Sequence, residues 1–136
     1  MRIAVRILIL LFLTFLFSCE EQGTLVNCND CKSEEPLDAM LEIRLSGSGA
    51  GTSVLIRVYE GNLEDNILDR EFTTQSSSTS VTVSINRKYT VTATYGMVDG
   101  TYTTVDSATP KVKYTTDQCD EPCYYVYDRK LDLRLK

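Results

Sequence analysis

The chain has 136 residues, a formal net charge of −5, and 24% charged against 43% hydrophobic residues. This length suits one domain, and the composition is typical of globular proteins, not of disordered ones. Because the sequence contains neither His nor Trp, it excludes a Ser-His-Asp triad, a Cys-His dyad and a histidine metal site.

Residues 1–18 have the pattern of an export signal. Arg2 and Arg6 form a basic start, and residues 7–17 are apolar except for Thr14. A helix of eleven residues would span about 16 Å, roughly half of a bilayer core. The segment is therefore predicted to be a signal peptide and not a membrane span.

The end of this segment carries a short motif, Leu16-Phe17-Ser18-Cys19. It resembles the lipobox of bacterial lipoproteins, which ends on a small residue followed by Cys. The resemblance implies cleavage before Cys19, a diacylglycerol on its thiol, and acylation of the new amine by a chain such as palmitate. Two or three acyl chains make a lasting anchor. The alternative is an ordinary secretory signal with an incidental cysteine.

The residues after Cys19 bear on location. Glu20 and Glu21 resemble the acidic signal that sends Bacteroidetes-type lipoproteins to the cell surface, although they also suit a solvated linker. We expect a lipid-anchored outer-membrane protein that faces the periplasm or the cell surface. Without residues 1–18 the net charge is −7. This charge argues against nucleic acid as a partner and against electrostatic binding to anionic membranes.

The remainder divides into a polar tether and lead-in, residues 19–38, and a domain, residues 39–136. In the domain, apolar side chains alternate with polar ones in short runs separated by turn residues. These runs occupy residues 41–45, 54–58, 68–72, 81–85, 89–95, 102–105, 112–114, 124–127 and 131–135. Such spacing predicts an all-β fold, an antiparallel Ig-like or prealbumin-like sandwich of seven to eight strands with little helix.

Two stretches carry a family resemblance. Residues 86–93 have a turn followed by a Tyr-x-Val-x-Ala strand beginning at Tyr89, and residues 56–61 form an apolar strand that ends in a Gly turn. Both resemble prealbumin-like and carboxypeptidase-regulatory-like domains, with Lys88 where those domains have Gly. The resemblance implies a seven-stranded sandwich without activity of its own.

Four cysteines remain for the mature domain, namely Cys28, Cys31, Cys119 and Cys123. An even number in an exported protein predicts two disulfides, with three possible connectivities. Crossed pairing is favoured, because the first and last strands of Ig-like sandwiches often pair in parallel and both cysteine pairs precede those strands. A Cys₄ zinc site and a catalytic dithiol are the alternatives.

Two further clusters are candidate binding sites. Tyr124, Tyr125 and Tyr127 could form a flat platform for a glycan or a protein, or could simply pack in a Trp-free sandwich. An acidic loop could offer oxygens to calcium, although charged loops are usually solvated. That loop contains Glu60, Asn62, Glu64, Asp65, Asn66 and Asp69.

These observations lead to a functional expectation. The protein is predicted to be a non-catalytic envelope lipoprotein, a structural or interaction module at the outer membrane that binds the membrane through the lipid on Cys19. Its partner would be a protein or a glycan, and we expect no metal or other cofactor. The alternative function is a glycan-binding accessory lipoprotein that uses exposed tyrosines.

Overall fold

The structure is a computed structural model that describes residues 25–47 and 52–136. The predicted signal peptide, the lipobox and Cys19 lie outside the described residues. Within them, helix is limited to two 3₁₀ turns, Cys28–Asp30 and Leu63–Asp65. The all-β prediction is confirmed.

Nine strands follow in chain order. They are β1 (Asp38–Arg44), β2 (Val54–Glu60), β3 (Leu68–Thr74), β4 (Ser78–Ser84), β5 (Tyr89–Met97), β6 (Gly100–Ala108), β7 (Lys111–Thr115), β8 (Cys123–Tyr127) and β9 (Lys130–Asp132). The sequence predicts seven or eight. The runs at residues 124–127 and 131–135 form separate strands, β8 and β9, and Asp128 between them adopts a left-handed conformation with φ of 53°.

The strands form a sandwich with an added hairpin. One sheet has the order β4-β1-β9 and the other has the order β3-β2-β5-β6, so the two sheets contain seven strands. β7 and β8 pair with each other and form the hairpin, apart from the two sheets. Most neighbours are antiparallel, but β1 and β9 run parallel, with Ile43 opposite Leu131. This parallel pair brings the start and the end of the domain together.

The core lies between the two sheets and follows from the period of two. β1 contributes Leu41 and Ile43, and β2 contributes Ile56 and Val58. Their neighbours in sequence, such as Glu42 and Arg57, point away from the core and are only partly covered. Alternate residues on a pleated strand point to the same face, so β1, β2 and β4 each bury one face of their sheet, whereas β5 is covered on both faces, with Thr90 and Thr92 buried as well.

Side chains close one side of the sandwich, where β6 meets β9. The backbone N–H of Asp132 donates to the carboxylate of Asp106 at 2.9 Å, and the hydroxyl of Thr104 donates to the carbonyl of Leu133 at 2.7 Å. These side-chain bonds connect β6 and β9, which belong to different sheets and are not joined by a backbone ladder. On the outer surface, hydrogen bonds from Arg134 hold the pKa of Asp132 well below its usual range.

Tyr95 anchors the C-terminal segment from within the core. Its side chain is buried, and its hydroxyl donates to the Leu133 carbonyl at 2.7 Å while accepting from the Ser46 N–H at 3.2 Å. The Ser46 hydroxyl in turn accepts from the Leu135 N–H at 2.7 Å. The Leu133 carbonyl therefore has two donors, Tyr95 and Thr104.

We predict that these two donors act together. Tyr95→Phe and Thr104→Val should each lower the free energy of unfolding by about 1 kcal/mol, because a single change leaves the Leu133 carbonyl one donor. The double variant should exceed the sum of the two by about 1 kcal/mol, because the buried carbonyl then has no donor. Urea unfolding measures all three. Tyr102→Phe, which removes an exposed hydroxyl bonded to Asp99, is the control and should change stability little.

Candidate functional site

The four cysteines meet at the end of the domain where the lead-in joins it. Cys28 is bridged to Cys119 and Cys31 to Cys123, with Cα–Cα distances of 5.7 and 5.6 Å. Both distances lie in the range of disulfides. The crossed pairing favoured from the sequence is therefore confirmed.

Backbone pairing explains why the cysteines meet. Lys32 and Tyr124 form an antiparallel bridge with two hydrogen bonds, from the Lys32 N–H to the Tyr124 carbonyl at 2.8 Å and the reverse at 2.7 Å. The lead-in thus becomes a partial third strand beside β8. Earlier in the lead-in, the side-chain oxygen of Asn27 accepts from the Asn29 N–H and so caps the 3₁₀ turn that begins at Cys28.

The same cluster bears on the metal and redox alternatives. The sulfur atoms of Cys31, Cys119 and Cys123 lie within 4.8 Å of one another, so reduced thiols there would have ligand spacing. Zinc binds thiolates, and a sulfur held in a disulfide does not supply one. The Cys-x-x-Cys pair is also not closed on itself, because Cys28 and Cys31 bond to different partners. The arrangement is that of a covalent staple.

A groove of about 570 Å³ lies beside this staple, between the lead-in, β8 and the turn into β9. Arg129 spans it. Its guanidinium contacts the carboxylate of Asp30 at 3.2 Å and that of Glu42 at 2.5 Å, and only 21% of its side chain is exposed. The two carboxylates, whose residues also line the groove, converge on one cation, so each is ion-paired.

The three candidate tyrosines occupy two faces of the hairpin, as strand alternation predicts. Tyr125 and Tyr127 line the groove, with ring centroids 6.3 Å apart, but Tyr125 is only 6% exposed. Tyr124 lies on the opposite face and packs against Tyr114 of β7, with centroids 4.8 Å apart. Tyr127 is therefore the half-buried ring at the groove, and Tyr114 with Tyr124 forms a separate pair.

The acidic loop has partners within the protein. Glu60 pairs with Arg87 at 2.9 Å, and Asp69 pairs with Arg70 at 2.7 Å. The Asp65 carboxylate accepts from the Asn62 N–H and so caps its own 3₁₀ turn. These groups hold the loop between β2 and β3 in its conformation.

The contacts of Arg129 were not anticipated from the sequence. Arg129 and Asp30 are 99 residues apart, and Glu42 lies on another strand. No local motif marks such a cluster. The signal that could have found it is the parallel pairing of β1 with β9, because the Glu42 N–H donates to the Arg129 carbonyl at 2.8 Å.

Comparison with protein-family models, with curated proteins and with solved structures returned no match. None of the helical turns within residues 25–47 and 52–136 has the length and apolar character needed to span a bilayer.

We predict that the two disulfides stabilise the domain non-additively. Either bridge alone closes a loop of more than 90 residues, worth about 4–5 kcal/mol in the chain-entropy model. The second then closes only the small ring formed by residues 28–31 and 119–123, worth about 2–3 kcal/mol.

Removing either pair, by Cys28→Ala with Cys119→Ala or by Cys31→Ala with Cys123→Ala, should therefore cost about 2–3 kcal/mol. Removing all four should cost about 7 kcal/mol, more than the two pairs combined. Urea unfolding of a Cys19→Ala background measures each value. A fourfold variant whose loss equals the sum of the two pairs would contradict the nested arrangement.

Proposed function

We propose that this protein is a non-catalytic, lipid-anchored module of the bacterial outer membrane that holds or binds another envelope component. The observation that carries the proposal is the crossed pair of disulfides, which fastens the segment after the predicted tether to the β7–β8 hairpin. Without these bridges, a force applied at the N-terminus would first separate the lead-in from the hairpin and would then act on β1.

The position of the staple suits an anchored domain. Cys28 stands nine residues after Cys19, so an extended chain limits their separation to about 31 Å. On this proposal, the end that carries the bridges, together with the hairpin and the Arg129 groove, would lie nearer to the membrane. The opposite end carries the β5–β6 turn, where Met97 and Val98 are exposed. That end would be free to meet a partner.

The ion pairs in the groove support a non-catalytic role. A glycoside hydrolase needs one carboxylic acid with a raised pKa and a second carboxylate facing it across the substrate. Here Asp30 and Glu42 both pair with the same guanidinium, that of Arg129, and do not stand opposite each other as a separate acid and base. The groove is therefore better suited to binding than to acid–base chemistry.

Replacement of Cys19 tests the anchor. The full-length protein expressed in a Gram-negative host should partition into the membrane fraction, and Cys19→Ala should appear in the soluble fraction, because the acyl chains supply the attachment. Cys19→Ala leaves all four domain cysteines, so non-reducing mass spectrometry should still find four hydrogens fewer than the fully reduced chain. A Cys19→Ala protein that stays in the membrane fraction would contradict the lipid anchor.

A second candidate function is glycan binding at the groove. Tyr127 offers a half-buried ring beside Asp128 and Lys130, a mixture of apolar surface and polar groups that suits a sugar. If this function holds, a glycan array should show a specific ligand, and Tyr127→Ala should lose it while Tyr114→Ala, on the other face of the hairpin, should keep it. Equal binding by both variants would exclude the groove as the sugar site.

A further inference from the structure

β4 has one unpaired edge among the described residues. It pairs with β1 on one side, with Ser84 opposite Asp38 and Ser78 opposite Arg44. Just beyond the two ends of this ladder, the Leu45 N–H donates to the Ser77 carbonyl and the Ile85 N–H donates to the Leu37 carbonyl. In the register of the ladder, Leu45 lies opposite Ser77 and Leu37 lies opposite Ile85, so both are directly hydrogen-bonded pairs. Since bonded pairs alternate along an antiparallel ladder, the odd-numbered residues of β4 bond to β1 and the even-numbered ones face outward.

The outward backbone groups belong to Ser78, Ser80, Thr82 and Ser84. The Ser84 N–H already donates to the Tyr89 hydroxyl at 3.2 Å. The N–H and carbonyl groups of the other three residues face outward along the edge, and their side chains are exposed. An edge of this kind is a template for another strand.

The other edges of the sandwich carry the features that block such pairing. β3 has three consecutive charged residues, Asp69, Arg70 and Glu71, and the β2–β3 register shifts near its start. The side where β6 meets β9 is closed by Asp106 and Thr104, as described above. β4, with the sequence STSVTVS, has no charge, no proline and no register shift. Lacking these protective devices, it is the edge open to strand addition.

We propose that the β4 edge binds the β4 edge of a second copy of this chain, antiparallel and centred on Ser80. In that register Ser80 faces Ser80 of the second copy, and Ser78 faces Thr82 in both directions. The three positions with outward backbone groups, 78, 80 and 82, are symmetric about Ser80. Each outward N–H therefore meets a carbonyl of the second copy, and each outward carbonyl meets an N–H. Six backbone hydrogen bonds form, two for each directly bonded pair.

The side chains of β4 fit this register as well as the backbone does. On the inner face Thr79 meets Val81 of the second copy, which pairs two β-branched residues of similar size. On the outer face only Ser and Thr meet, so no like charges oppose each other despite the negative charge of the whole chain. The two three-stranded sheets become one six-stranded sheet with the order β9-β1-β4-β4-β1-β9.

The contact is small, so the association should depend on concentration. One strand pair buries less surface than the standard-sized interfaces of stable complexes. The proposal does not depend on lipidation, and its test is separate: association is measured on the full chain, purified in mild detergent if it is membrane-bound and in buffer if it is not. If the protein proved not to be lipidated, only its purification would change, and the measurement of self-association would still test the proposal.

Charge pairs at the edge test the register. Sedimentation velocity over a wide range of concentrations should show a monomer–dimer equilibrium for the natural chain. S78K/T82K places Lys opposite Lys at two positions and should weaken self-association about tenfold or more. S78E/T82E should be weakened likewise, and an equimolar mixture of the two variants should dimerise again, because each Lys then faces a Glu.

The mixture also controls for folding, because two misfolded variants would not recover dimerisation on mixing. S78K/T82E is a matched control that keeps the same Lys beside Arg44 but opposes Lys to Glu in its own dimer, and it should associate like the natural chain. A natural chain that stays monomeric at all concentrations would overturn the proposal. So would S78K/T82K that dimerises like the natural chain.

Discussion

Parallel pairing of β1 with β9 is the contact on which the rest of this molecule depends. It lays the last strand beside the first, with bonds from the Glu42 N–H to the Arg129 carbonyl and from the Leu133 N–H to the Arg44 carbonyl. Because a parallel pair starts at the same end of the sheet, the segments that precede the two strands meet there. Both cysteine pairs lie in those segments, and the side chain of Arg129 comes to rest against Glu42.

Different kinds of interaction stabilise different parts of this domain. The alternating apolar residues of both sheets form a single core, and a unit of about 100 residues has little core to spare. Polar side chains then fasten the places where backbone pairing stops, as Asp106 and Thr104 do between β6 and β9 and as Tyr95 does for the last residues. The disulfides secure the lead-in, which contributes no residue to the core cluster.

Much of this architecture could be predicted from the sequence, because alternation on a strand is a local property. The runs around Leu41 and Ile56 each bury one face, and the faces of Tyr124 and Tyr125 follow from the same rule. Bridging between the two cysteine pairs was also accessible, since it follows from where the first and last strands lie, but which of the two crossed connectivities forms was not. The Arg129 cluster and the double use of the Leu133 carbonyl were not accessible, because they join residues far apart in the chain and depend on register.

The nested disulfides also determine what a protease could release. A single cut anywhere between residues 32 and 118 yields two fragments, yet both bridges still join the piece that holds Cys28 and Cys31 to the piece that holds Cys119 and Cys123. A nicked domain would therefore remain on its tether as one covalent unit. After such a single cut, the two fragments separate covalently once both bridges are reduced, whereas a cut within the tether itself detaches the whole domain. If the protein is lipid-anchored as proposed, a single cut in a loop between residues 32 and 118 would therefore not by itself shed the domain from the membrane.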